Sequence, residues 1–235
     1  MSPPFHFKQF AVQQDRCAMK VGTDAILLGT WADGNLTPRI LDIGTGTGVV
    51  ALMMAQRFPA AHITAVEVDR DASEQAASNF AASQWADRLT VEHIAIQGYA
   101  THATFDLIIS NPPFFSGSLK PPDDQRRVAR HDDGLPHGDL LYAASRLQSP
   151  GGRLAVILPV DQGEEFRRLA AEYGLHCHRQ CYVKPTPHKP PHRLLMEFTS
   201  NECGPTTEPE LVVEIKRHEY SPEFAAMAKP FLLKL

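Results

Sequence analysis

Apolar and polar positions along this chain switch repeatedly between a short buried run and a helical spacing. The first buried run is residues 39–43, followed by the loop Gly44-Thr45-Gly46-Thr47-Gly48. Residues 49–58 read as a helix that stops before Pro59. Residues 62–66 are a second strand, ending at Glu67. Residues 69–83 are alanine-rich with acids in the first turn, where the helix dipole favours them. Strands at 89–94 and 105–110 follow, and the second runs straight into Asn111-Pro112-Pro113-Phe114. After a long loop at 115–136 come a helix (137–147), a strand (153–158), a helix (162–173) and a strand (175–183). A proline-rich turn at 184–191 leads to a strand at 194–198, and residues 211–216 are one more strand. Ser221 caps a last helix with Pro222 at its first position. Ahead of all these, Phe5, Phe7, Phe10 and Val12 mark a hairpin or an extended arm. Thr23 is the expected N-cap of a helix through Ile26, Leu27, Leu28 and Trp31. Strands alternating with helices in this way predict a parallel α/β sheet.

Composition narrows the class. The 235 residues suffice for a single domain, with an N-terminal extension and helix at 1–36, a core at 37–200 and a C-terminal strand and helix at 201–235. Phe224, Met227, Phe231 and Leu232 are expected to fold that tail back onto the core. No apolar run approaches the roughly 20 residues of a membrane span. The start, MSPPFHFKQF, lacks the apolar core of a secretory signal, so a cytoplasmic location is expected. Four scattered cysteines make no disulfide framework. His176, Cys177, His178 and Cys181 resemble a metal pattern. On a strand, however, the two histidines share one face and the two cysteines the other, so they do not converge, and no metal is expected. The net charge of −4 argues against a protein that coats nucleic acid by charge alone.

Three features carry chemistry. The glycine loop follows a strand and opens a helix, which lets backbone approach a ligand closely. Its Gly-x-Gly-x-Gly spacing differs from the dinucleotide pattern, and Asp42 just before Gly44, Gly46 and Gly48 would repel a pyrophosphate while suiting a cationic ligand. Glu67, at the end of the second strand, is placed to accept both hydroxyls of a ribose, with Asp69 a competing candidate at the same edge. Asn111-Pro112-Pro113-Phe114 stands at the carboxyl end of a strand, where open α/β sheets bind ligands. The Asn111 side-chain oxygen and the Pro112 carbonyl can accept both hydrogens of a conjugated amine, turning its lone pair outward. The prolines hold those acceptors in place, and Phe114 offers a face for a planar group. A rigid turn of no functional consequence is the rival reading of that tetrapeptide.

Together these residues resemble the class I methyltransferases that act on amino groups. The block Phe7-Lys8-Gln9-Phe10, then residues 15–24 (DRCAMKVGTD) and Ile26-Leu27-Leu28-Gly29, resembles more narrowly the bacterial tRNA(Val) adenine-37 N6-methyltransferases. Residues 129–132 (ARHD) and 191–193 (PHR) fit the same family, and the resemblance covers nearly the whole chain. It implies a Rossmann-like, seven-stranded, mostly parallel sheet with a reversed last strand and helices on both faces. It implies S-adenosyl-L-methionine as cofactor, S-adenosyl-L-homocysteine as product, and Lys20, Thr23 and Asp24 near the methionine end. It also implies an adenine beside the anticodon as substrate, with no obligate protein partner. Two departures stand out. Phe114 occupies a position where close relatives often carry tyrosine. Ala95 stands where an acid contacting the cofactor adenine is expected, leaving backbone around Ile96 to replace it.

The basic residues that could hold tRNA are Arg126, Arg127, Arg130 and His131 beyond the tetrapeptide, and Lys184, His188, Lys189, His192 and Arg193 around the proline-rich turn. An adenine already in a loop needs little unpairing to be splayed out, so a mildly acidic protein can act on it. Competing readings are a guanine-N2 methyltransferase of ribosomal RNA, a methyltransferase of a protein glutamine amide, and a non-catalytic binding module. Charge reversal at Arg126, Arg127 and Arg130 is expected to weaken tRNA binding and flatten its salt dependence while leaving cofactor affinity intact. Unchanged tRNA affinity of the triple variant in a salt titration would overturn that assignment.

Overall fold

In a computed structural model that describes residues 3–33, 38–113 and 135–235, the apolar runs become the strands of a central sheet. The chain opens with a hairpin of β1 (Phe5–His6) and β2 (Ala11–Val12), then α1 (Thr23–Trp31). The first half of the sheet alternates β3 (Arg39–Ile43), α2 (Val49–Arg57), β4 (His62–Glu67), α3 (Arg70–Ala81), β5 (Leu89–His93) and β6 (Phe105–Ser110). The second half is α4 (His137–Leu147), β7 (Gln148–Pro159), α5 (Val160–Ala170), β8 (His176–Lys184) and β9 (Arg193–Thr199). Short strands β10 (Thr206–Thr207), β11 (Leu211–Val212), β12 (Glu214–Lys216) and β13 (Glu219–Tyr220) precede α6 (Pro222–Ala228).

The order across the sheet is β5-β4-β3-β6-β7-β9-β8. All pairings are parallel except those of β9, which runs antiparallel to both neighbours. This is the expected seven-stranded sheet with its reversed strand. It is extended at the β8 edge by the two-residue strands β10 and β11. Strands buried on both faces need apolar residues at successive positions, which is why Ile40, Leu41 and Ile43 are each almost wholly buried. Alternate side chains feed two separate cores. Ile40, Ile63, Leu107 and Ile157 pack under α1, α2 and α6, while Leu41, Val66, Ile108 and Val156 pack under α4 and α5. Each large aliphatic side chain buried this way contributes roughly 1.5–3 kcal/mol. The tail joins the first core through Phe224 and Phe231, and Lys8 N–H donates to the Phe231 carbonyl at 2.8 Å.

Several local expectations are corrected. Gly22, not Thr23, is the N-cap of α1, because Gly22 holds the extended backbone and Thr23 is already helical. Asp69 caps α3, its Oδ1 accepting from Ala72 N–H at 2.8 Å, so the helix begins one residue later than expected. Strand β7 begins at Gln148, with an irregular stretch between the residues facing Phe105 and Leu107. The strand expected at 211–216 is two strands with different partners, one along β8 and one in a hairpin. Cys177 and Cys181 do not share a face. A bulge between Cys177 and Arg179 shifts the alternation by one residue, so Cys177 enters one core and Cys181 the other. Among the described residues no group of histidines, cysteines and acids is arranged to hold a metal, and no helix is long and apolar enough to cross a membrane.

Candidate active site

The sheet order reverses between β3 and β6. From β3 the chain moves to β4 and β5 on one side, then returns to place β6 on the other. Such a switch point leaves a crevice at the carboxyl ends of the strands, since the connections diverge there. Gly44, Glu67 and Asn111 follow or end β3, β4 and β6, so topology alone brings the three sequence signals to one edge. A cleft of about 1310 Å³ opens there, lined by all three.

The loop after β3 is shaped by backbone bonds. Gly44 N–H donates to the Val66 carbonyl at 2.9 Å, and Gly48 N–H donates to the Thr45 carbonyl at 2.9 Å. Gly44, Gly46 and Gly48 have φ of 71°, 55° and 81°, in the left-handed region that side chains avoid. At Gly44 and Gly46 a β-carbon would project into open space, so the cleft floor there is bare backbone. At Gly48 it would meet the Phe80 ring at 2.5 Å, so α3 packs directly against the loop.

Glu67 is buried, and each carboxylate oxygen already accepts a backbone bond: Oε2 from Gly46 N–H and Oε1 from Asp69 N–H, both at 2.9 Å. A carboxylate oxygen accepts more than one bond, so the same group can hold the loop and still receive ribose hydroxyls. Asp69, the rival, is committed to capping α3. Asp42 is almost fully buried, and Thr45 Oγ1 donates to its Oδ2 at 2.6 Å. Burial pushes its carboxyl up to about 7, the Glu67 charge adds to the rise, and the Thr45 bond opposes it.

Asn111 is the clearest chemical feature. Its Oδ1 is buried and accepts no hydrogen bond from any described residue. A buried acceptor left without a donor costs stability, and proteins rarely keep one. It is held at the crevice by its neighbour: Ser110 Oγ, fully buried, donates to the Ile43 carbonyl at 2.8 Å and ties the end of β6 to that of β3. Pro112 is buried and Pro113 exposed. Phe114, Arg126, Arg127, Arg130 and His131 lie outside the described residues.

The structure brings Lys20, Thr23 and Asp24 to the same cleft. Asp24 Oδ2 accepts from Arg193 Nε at 2.9 Å, so a residue expected at the cofactor and one expected at the RNA form a single ion pair. Lys189 is exposed and away from the cleft wall. Ala95 does line the cleft, beside Ile96 and Gln97, and Gln97 Nε2 donates to Asp139 Oδ2 at 2.8 Å. Sequence reasoning missed Ser110, the Gln97–Asp139 pair, and Gln75 and Asn79 of α3. Only the last two left a trace, as amides one turn apart on an alanine-rich helix, and that trace does not mark what they touch.

The donor set fits S-adenosyl-L-methionine. Five carboxylates, Asp24, Asp42, Glu67, Asp69 and Asp139, line the cleft against the cations Lys20 and Arg193, the latter paired with Asp24, and the acidic excess suits a cation. The bare glycine floor admits close approach, and the Asn111 oxygen, unbonded among the described residues, is an acceptor left over at the same edge.

Comparisons with known proteins agree. The family model described as methyltransferase small domain matches residues 17–165. A protein of Trichodesmium erythraeum named tRNA1(Val) (adenine(37)-N6)-methyltransferase is 49% identical over 234 residues, covering 98% of each chain. One of Phocaeicola vulgatus with the same name is 48% identical, covering 100% of this chain and 99% of its own. Among solved structures, an Agrobacterium tumefaciens protein described as a predicted O-methyltransferase superposes with a TM-score of 0.67 at 21% identity, covering 88% of this chain and 96% of that one.

The raised Asp42 carboxyl gives a pH prediction. Its folded value lies above the ordinary 3.8, so the native state holds the proton more tightly than the unfolded chain. Without ligand, this group's contribution to stability therefore falls as pH rises from about 4 to about 7 and is level above. A bound cation favours the ionised form. Cofactor affinity should rise between pH 6 and 8, with proton uptake by buffer at pH 6 visible as a buffer-dependent calorimetric enthalpy. Asp42→Asn should bind more weakly with no proton release, and a buffer-independent enthalpy in the unsubstituted protein would contradict the assignment.

Proposed function

The chain belongs to the methyltransferase small domain family, and within it to the relatives named tRNA1(Val) (adenine(37)-N6)-methyltransferases; from that premise we propose that it methylates N6 of adenine 37 in tRNA(Val), in the cytoplasm. The observation that carries the chemistry is the buried Oδ1 of Asn111 at the switch-point crevice, unpartnered among the described residues.

S-adenosyl-L-methionine, when bound, supplies an electrophilic methyl group on a cationic sulfur and leaves as S-adenosyl-L-homocysteine. The glycine floor, Asp42 and Glu67 would hold it, and Lys20, Thr23 and Asp24, which line the same cleft, would take its methionine part. The protein's task at the other side is to make a poor nucleophile competent. The N6 lone pair of adenine is delocalised into the ring. Asn111 Oδ1 and the Pro112 carbonyl accept the two amino hydrogens, which draws the nitrogen toward tetrahedral geometry and aims the lone pair across the crevice. Because these acceptors sit on an Asn-Pro-Pro segment stiffened by its prolines at a strand end, their dipoles need little reorganisation. No strong base is required, since the proton leaves readily once the nitrogen carries four substituents. The remaining acceleration is positioning in line. Phe114 supplies a stacking face for the base, and Arg126, Arg127, Arg130, His131, Lys189 and Arg193 supply the local positive surface, Arg193 doing so while paired with Asp24.

Asn111→Ala is expected to lower turnover on unmodified total tRNA by about two to three orders of magnitude. Its affinity for S-adenosyl-L-methionine should stay within about twofold. Nucleoside analysis of the wild-type product should give N6-methyladenosine. Methyl transfer by wild type to ribosomal RNA or to a protein glutamine, with no labelling of tRNA, would overturn the reading.

A further inference from the structure

Two amides lie in the buried stripe of α3, one turn apart. Asn79 is 2% exposed and Gln75 3%, among Ala72, Ala76 and Phe80. Amides in such a stripe cost stability unless their polar atoms are bonded, so the bonds they make define their role. Asn79 Nδ2 donates to the Thr47 carbonyl at 2.8 Å and to the Gln13 carbonyl at 2.9 Å. Its Oδ1 accepts from Gln13 N–H at 2.9 Å. Gln75 Oε1 accepts from Arg16 N–H at 3.2 Å. One side chain thus grips two segments remote from it in sequence, the glycine loop and the N-terminal stretch.

That stretch is a wall of the cleft. Residues 17–20 and 22–24 line it, directly beyond the point where Gln75 and Asn79 hold the chain. Its other supports are weak. Gln14 Oε1 accepts from Val21 N–H at 3.0 Å, and Arg16 pairs with Glu74 at 3.6 Å with both side chains about half exposed. Exposed pairs of this kind hold little. Met19 is 58% exposed, so apolar support of the strap rests on Val21, partly buried against the first core. The strap is fixed by the α3 amides at one end and by the Asp24–Arg193 pair at the other.

We propose that Asn79, assisted by Gln75, is a positioning residue for cofactor binding, coupling the glycine loop to the N-terminal strap so that floor and wall of the cleft take one relative geometry. Asn79 touches no cofactor itself; it acts through Thr47 and Gln13. The inference rests on the methyltransferase reading above. Loss of the side chain frees the Thr47 carbonyl and both polar groups of Gln13 together, so loop and strap lose their common anchor.

Asn79→Ala and Gln75→Ala test this, titrated calorimetrically with S-adenosyl-L-methionine and digested with trypsin, which cuts after Arg16 and Lys20. For Asn79→Ala the dissociation constant and the cofactor KM are expected to rise about tenfold together, with kcat and the tRNA KM within about twofold. Tryptic cleavage of the strap should be faster, and bound cofactor should protect it less than in wild type. Gln75→Ala should shift both readouts the same way by about threefold. Wild-type affinity in a folded Asn79→Ala protein overturns the proposal, and so does weakened affinity with the strap cleaved at the wild-type rate. Should Asn79→Ala not fold, as thermal melting would show, Gln75→Ala decides by the same two readouts. If wild type itself failed to bind S-adenosyl-L-methionine, the methyltransferase reading would fall, and this inference with it.

Discussion

Everything functional in this molecule depends on one topological constraint, the reversal of strand order between β3 and β6. A parallel sheet built outward in one direction would bury each carboxyl end under the next connection. The reversal leaves the ends of β3, β4 and β6 open to a common crevice. Short bonds then lock those ends to one another: Ser110 to the Ile43 carbonyl, Gly44 to the Val66 carbonyl, and Glu67 to Gly46. The positions of the glycine loop, Glu67 and Asn111 are therefore mutually determined.

The largest buried charge cluster among the described residues lies apart from the cleft. Glu197 is fully buried, yet both its oxygens are bonded to Arg179, which also stacks 3.9 Å over the Trp31 ring and pairs with Glu208. None of these residues lines the cleft. Inside the cleft the pattern is the opposite: Asp42 is buried with its carboxyl pushed up to about 7, and Asn111 Oδ1 has no donor among the described residues. Those two costs make sense if a cation and an amino group are what the site binds. Asp42 becomes a better acceptor when a positive charge arrives, and Asn111 regains a hydrogen bond when the substrate does.

Much of this was legible in the sequence because the informative residues sit next to one another. Glycines after an apolar run, an acid ending the next strand, and asparagine before two prolines are local patterns, and each landed at the predicted strand end. Failures arose where the deciding contact is distant. The alternation rule placed Cys177 and Cys181 on one face, and a bulge moved them apart. Asp24 and Arg193 were assigned to different ligands, yet they pair across 169 positions. Asn79 looked like one polar residue among many on α3, because its partners Gln13 and Thr47 carry no sequence mark of the contact.

Transcripts of tRNA(Val) and labelled S-adenosyl-L-methionine test whether this crevice holds the amino group of adenine 37. The protein should label the transcript that carries adenine at position 37, with the methyl group mapped to N6 of that base. Replacing that adenine by guanine should abolish labelling. Labelling that persists in the substituted transcript, or a methyl group mapped elsewhere, would contradict the account.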